Sequence, residues 1–167
     1  MKTQKEKYVE EYIISALFKL MERKTYESIS ITEITNKAGV GRISFYRNFD
    51  SKEDIVKKWI HTTTEEFLQD SNLSYKEDTL EEYFTKLFIH LNHYKKETSL
   101  IYQAGLIHLL KDEFESTFFK RNKTNYEDYK SYFIIGGIFN IYYYWLINRY
   151  RETPQELTSK LVDLLAK

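Results

Sequence analysis

Between Arg42 and Asn48 the chain sets out a run of hydrogen-bond donors: Arg42, Ser44, Tyr46, Arg47 and Asn48. Arginine suits guanine edges or phosphates, asparagine suits adenine, and serine or tyrosine can hold a phosphate. Ile43, in their midst, either packs with Ile34, Ala38, Val40, Phe45 and Phe49 or lies in a groove against a thymine methyl. This is the chemistry of a duplex surface. Covalent chemistry has no comparable set. The chain has no cysteine, no Gly-rich phosphate loop and no G-x-S-x-G. His90 and His93 stand i, i+3 on one helix and could share a metal, but no Glu-x-x-His pattern, HExxH or third ligand accompanies them. Histidines satisfied by ordinary hydrogen bonds are the plainer reading. Carboxylate pairs such as Glu65–Glu66 and Asp112–Glu113 lie in charged faces and read as solvation. No catalytic residue, metal or cofactor is expected, and the reading is a non-enzyme.

The elements that must hold these donors are written in the flanking residues. Ser30 followed by Glu33 is a capping box, with Ile29 and Ile34 placed as a hydrophobic staple. The first helix of the pair is predicted over 31–38. Gly39 ends it, because glycine takes the left-handed C′ conformation without a Cβ clash. After Val40 and Gly41 a second short helix covers 42–48. Two helices across a short turn containing Gly form a helix-turn-helix. A solvated hairpin in an all-α core would be the bland alternative, but caps, glycine turn and donor-rich helix coincide and favour DNA.

Gly39-Val40, Phe45-Tyr46, Phe49 and Ser51-Lys52-Glu53 with Ile55 resemble the N-terminal DNA-binding domain of TetR-type (tetracycline-repressor-like) transcription regulators. The resemblance implies phosphate contacts at Thr32, Tyr46 and Lys52, and bases or adjacent backbone for Arg42, Ser44, Arg47 and Asn48. Three positions depart from the usual pattern and bear on the sequence of the DNA site. Ile43 stands where a small residue is usual, Asn48 where His is frequent, and Gly41 where Ser or Thr is frequent.

A helix over about 4–23, opened by Thr3 and Glu6, should brace the pair through Val9, Ile13, Ala16, Leu17 and Leu20. Ser51 and Asp54 open a helix to about residue 69, with Ile55, Val56, Trp59, Ile60, Thr63 and Phe67 on one stripe. Residues 71–78 read as a loop. Leu80 to Tyr94 form an amphipathic helix. Residues 100–110, apolar on nearly every face, read as one buried helix, and Phe114, Phe118 and Phe119 as a short one that fades at 121–125. Residues 131–148 carry no charge, and roughly 20 apolar residues would span a bilayer. Ser131, Asn140, Asn148 and four tyrosines argue against a span. This segment reads instead as a central helix, buried on one side in its own subunit and on the other in a partner, with Gly136 and Gly137 allowing close approach. Thr153-Pro154-Gln155-Glu156 starts a last helix striped by Leu157, Leu161, Leu164 and Leu165.

The last two helices also resemble those of TetR-type regulators, which pair with their copies in a four-helix dimer interface. Gly136, Gly137, Tyr144, Leu157, Leu161 and Leu164 are the interface candidates that follow. The same resemblance implies a small-molecule effector held in the C-terminal body, for which Tyr94, Tyr102, Gln103, Leu106, Phe133 and Phe139 are candidates; a plain core is the alternative for each.

The 167 residues suit one or two small domains, and only 1 Pro and 5 Gly favour long helices. Net charge is zero, but residues 1–58 hold 12 Lys and Arg against 9 Asp and Glu, and the remainder carries the opposite bias. That sign suits a nucleic-acid-binding front end. The opening MKTQKEKYVEEY has no apolar signal region, so the expected location is cytoplasmic, with no membrane partner.

The expectation is therefore an all-α chain of about nine helices. A three-helix DNA-binding domain over 1–50 precedes a helical bundle over 51–167 that dimerises. Its partners would be a double-stranded operator, a second copy of the chain and an effector. A helical protein-interaction module, or an activator with a protein partner and no effector, is the rival.

Overall fold

The computed structural model describes residues 4–71, 80–122 and 129–165, and every regular element among them is helical. They divide into two compact units, one made of the chain up to Thr62 with Leu100–Leu109, the other of Thr63–Ser99 with the chain from Leu110.

In the first unit α1 (Gln4–Met21) packs on α2 (Ile31–Ala38) and α3 (Arg42–Asn48), and α2 packs on α3. A single 3-10 turn, Tyr26–Ser28, joins α1 to α2. The inward stripe of α1 is Ile13, Ala16, Leu17 and Met21, close to helical spacing. The start of α4 (Lys52–Ser71) adds Ile55, Val56 and Ile60, all buried, and Phe18 of α1 meets the Trp59 ring at 5.0 Å. Both short helices have the expected bounds, and local chemistry sets those of α2. The Glu33 N–H donates to Ser30 Oγ at 3.2 Å while the Glu33 carboxylate accepts from the Ser30 N–H at 3.0 Å, closing the capping box. Gly39 sits at φ 68° and directs its N–H to Asn36 O, and the Val40 N–H reaches Thr35 O at 3.0 Å. These two bonds satisfy carbonyls that the helix end would otherwise strand.

The same device corrects one expectation. Residues 100–110 are not a single helix. α6 (Lys95–Gln103) stops, and α7 (Ile107–Asn122) starts afresh. Gly105, at φ 71°, donates to Tyr102 O, and the Leu106 N–H to Ile101 O, both at 3.0 Å. A C-cap glycine was present in the sequence but lay hidden in a continuous apolar run.

In the second unit α5 (Leu80–His93) packs on α9 (Pro154–Leu165). The buried residues Phe84, Leu87 and Phe88 face inward from α5, and Leu157, Thr158 and Leu161 from α9. Thr153 and Glu156 make the expected capping box, with bonds of 2.8 and 3.2 Å. Trp145 of α8 (Tyr129–Ile147) is fully buried, edge-on to Phe88 at 5.8 Å and to Tyr150 at 4.8 Å, and its indole N–H donates to Glu152 O at 2.9 Å. α8 ends in a left-handed pair, Arg149 (φ 58°) and Tyr150 (φ 53°). That conformation costs a non-glycine residue about 1–2 kcal/mol. The Tyr150 N–H bond to Trp145 O, its ring on the indole and its hydroxyl 2.6 Å from that of Thr98 offset the cost.

α8 carries two stripes at helical spacing. Ile135, Ile138, Phe139, Tyr142, Trp145 and Leu146 are buried in their own unit. Phe133, Gly137, Asn140, Tyr144 and Ile147, also at helical spacing, are exposed. No helix among the described residues is long and apolar enough to cross a membrane. The Thr3–Glu6 cap and, beyond Ser71, the 71–78 loop lie outside the described residues.

Gly39→Ala places a Cβ on a left-handed backbone. It should lower stability by about 1–2 kcal/mol, read as a fall in the urea midpoint at unchanged m-value.

Candidate nucleic-acid interface

A helix of two turns is marginal alone and takes its stability from packing. Phe45 is the anchor of α3. It is fully buried, its ring edge-on to Tyr46 at 5.3 Å and tilted on Phe49 at 6.0 Å. Seating Phe45 inward turns its neighbours out. Ile43 is 73% exposed, Tyr46 is half exposed, and Arg42 and Arg47 are exposed, as is Thr32 at the start of α2. Of the two readings open for Ile43, packing is therefore excluded within the single chain.

Two of the residues expected at DNA also have partners within the protein. The Asn48 amide donates to Ser44 O at 2.7 Å, one turn back along its own helix, so one of its donors serves the helix end. The Lys52 ammonium lies among backbone carbonyls, at 2.7 Å from Ile29 O, 2.8 Å from Tyr26 O and 3.3 Å from Glu27 O, and 4.6 Å from the centre of the Tyr26 ring. Sequence spacing gave no sign of this, because carbonyls have no side-chain signature and the partners stand 23 to 26 positions away.

The electrostatics around α2 follow from the same contacts. The Glu33 carboxyl is held down at about 2, first by the hydrogen bond from Lys24 and then by the Ser30 N–H and hydroxyl. Tyr26 is pushed up to about 12, by burial first and then by Glu53, Glu27 and Asp54.

The other candidates are spread over both units. Tyr102, Gln103 and Leu106 fall in the first; Tyr94, Phe133 and Phe139 in the second. Gln103 lines a cavity of about 290 Å³ in the first unit, beside Met21, Tyr26, Leu100 and Ala104. Leu106 and Phe139 are buried, the Tyr94 hydroxyl donates to Glu66 at 3.2 Å, and Phe133 is 82% exposed. Among the interface candidates Gly137, Tyr144 and Leu164 are exposed. Leu157 and Leu161 instead fill the core of their own unit, because the i, i+4 stripe of α9 is the one that meets α5. His90 packs on the rings of Phe67 and Tyr94, and no group of three potential metal ligands occurs among the described residues.

Residues 13–58, which take in the second half of α1, all of α2 and α3 and the start of α4, match the family of bacterial regulatory proteins described as the tetR family. Two solved structures are similar over nearly the whole chain. A TetR transcriptional regulator from Streptococcus agalactiae 2603V is 19% identical, with a TM-score of 0.67 over 96% of this chain and 95% of that one. The dihydroxyacetone kinase operon activator DhaS is 21% identical, with a TM-score of 0.60 over 95% and 94%. At such identities the likeness is one of fold. No match was found among the curated proteins.

The Glu33 carboxylate stabilises the folded state while ionised, so its contribution is complete above about pH 4.5 and disappears as pH falls towards about 2. Glu33→Gln should melt lower than the parent at pH 7, and the gap should close as melting is followed down through that window.

Proposed function

Since the chain belongs to the tetR family of bacterial regulatory proteins and is by that membership a DNA-binding transcriptional regulator, we propose that it is a repressor acting as a homodimer on an inverted-repeat operator. The observation that carries this reading is the outer face of α3, where exposed Arg42, Ile43, Tyr46 and Arg47 stand over the buried Phe45. Arg42 and Arg47 read guanine edges or adjacent phosphates, Ile43 meets a thymine methyl, and Ser44 and Asn48 lie along the same groove. Tyr46 and Thr32 hold phosphate. The DNA-reading part is residues 1–50; residues 51–167 dimerise and take the signal.

The open stripe of α8, with Tyr144 exposed at 63% and open space beside Gly137, supports pairing of two copies, joined by Leu164 of α9. Two subunits then place their recognition helices in successive major grooves, roughly 34–36 Å apart. A small molecule bound in the C-terminal body releases the operator. A second reading, an activator that meets a protein partner, draws on the exposed Tyr129, Tyr132 and Phe133 and on the fold shared with the activator DhaS.

Selection of duplexes from a random pool by the purified protein should return a recurring inverted repeat, bound by a species that sediments as a dimer. Arg42→Ala should weaken binding by roughly 1–3 kcal/mol and relax one position of the site, whereas Tyr46→Phe should weaken all sequences about equally. Recovery of no common sequence, or an Arg42 variant that discriminates among operator variants as the parent does, would count against this reading.

A further inference from the structure

Lys52 is the first residue of α4, yet its ammonium is committed to a different part of the chain. A lysine has three N–H donors. Three carbonyls converge on them, those of Tyr26, Glu27 and Ile29, at 2.8, 3.3 and 2.7 Å. All three belong to the connection between α1 and α2. The Tyr26 ring supplies a further face at 4.6 Å, a cation–π contact. Ile29 is buried and immediately precedes Ser30, the N-cap of α2. Lys52 itself lies three residues after Phe49, which closes α3. One ammonium thus ties together the residue before the helix pair and the residues just after it. Burial pulls this group below the ordinary lysine value, against the opposing influence of Glu27 and Glu33. Without it three carbonyls gathered about one point would lose their charged partner, Tyr26 O keeping only the Ile29 N–H at 3.2 Å.

We propose that Lys52 is a positioning residue for DNA recognition: its ammonium clamps the α1–α2 turn to the start of α4 and so fixes how α2 and α3 are presented to the duplex, instead of holding a phosphate. The proposal rests on the DNA-binding reading given above. A phosphate contact would require the ammonium to abandon three hydrogen bonds and an aromatic face for one anion at the protein surface.

Lys52→Arg and Lys52→Met separate the roles. A guanidinium keeps the charge and serves a phosphate as well as lysine does, but its planar fork cannot cap three carbonyls gathered about one point. Affinity for a selected duplex is measured at several salt concentrations, at a temperature where circular dichroism shows each variant fully folded. The clamp predicts that both variants bind on the order of tenfold more weakly, the loss expected of charge-assisted hydrogen bonds, while the slope of log K against log salt stays at the parent value. A phosphate contact predicts that Arg keeps the affinity and that Met flattens the slope by about one; that result overturns the proposal. Unchanged affinity with a lowered melting temperature also overturns it, since the lysine would then serve folding alone. If a variant does not fold, ammonium-selective NMR of the parent decides. The Lys52 signal should keep its shift when duplex is added, and a shift of that signal with coupling to phosphorus would refute the clamp. A parent that binds no duplex at any salt would instead sink the DNA reading itself.

Discussion

The burial of Phe45 is the constraint on which the recognition unit depends. α3 is a seven-residue helix with no side-chain cap at Gly41, so neither length nor capping holds it. Its one fully buried side chain fixes the rotation of the helix about its own axis. Once that rotation is set, the 3.6-residue period decides which side chains look outward, and these are Arg42, Ile43, Tyr46 and Arg47. The chemistry of the face is therefore a consequence of packing on its far side. The exposure of Ile43 follows from the same geometry.

The remaining contacts limit where that helix can go. Ser30 and Glu33 stop α2 at one end and Gly39 at the other, which leaves two residues before α3. The carbonyls that precede Ser30 meet the Lys52 ammonium, which marks the point where the chain leaves α3. In the second unit the principle recurs on a larger scale. α8 fills its own core with one stripe around Trp145 and leaves the other, from Phe133 to Ile147, without cover in the single chain. Burying Phe133, Tyr144 and Ile147 would gain hydrophobic stabilisation, which is the physical ground for the proposed pairing of two copies.

Much of this was legible in the sequence, because it is encoded at short range. The Ser30–Glu33 and Thr153–Glu156 boxes and the glycine stop at 39 each need only three or four neighbouring residues, and all lie where their spacing put them. The match of residues 13–58 to the tetR family likewise falls on a contiguous motif. What escaped the sequence was what depends on partners far away or on the backbone. The break at Gly105 was masked by apolar residues on both sides, although its hydrogen bonds repeat those at Gly39. Leu157 and Leu161 could not be assigned to their own core until α5 was known to face them. The Asn48 amide and the Lys52 ammonium both bond to carbonyls, groups that every residue carries and no sequence pattern marks.

The central claim is that the outward side of α3 lies against a duplex, and the absence of cysteine from the chain allows a direct measurement of it. Single cysteines are introduced at Ile43 and, as a reference exposed at 47% in the parent, at Ile89. Their alkylation rates are then followed with and without a saturating selected duplex, with binding of each variant checked by anisotropy. The account predicts that DNA slows the reaction at position 43 by at least about tenfold and leaves position 89 unchanged. Equal rates at position 43 with and without bound duplex would contradict it.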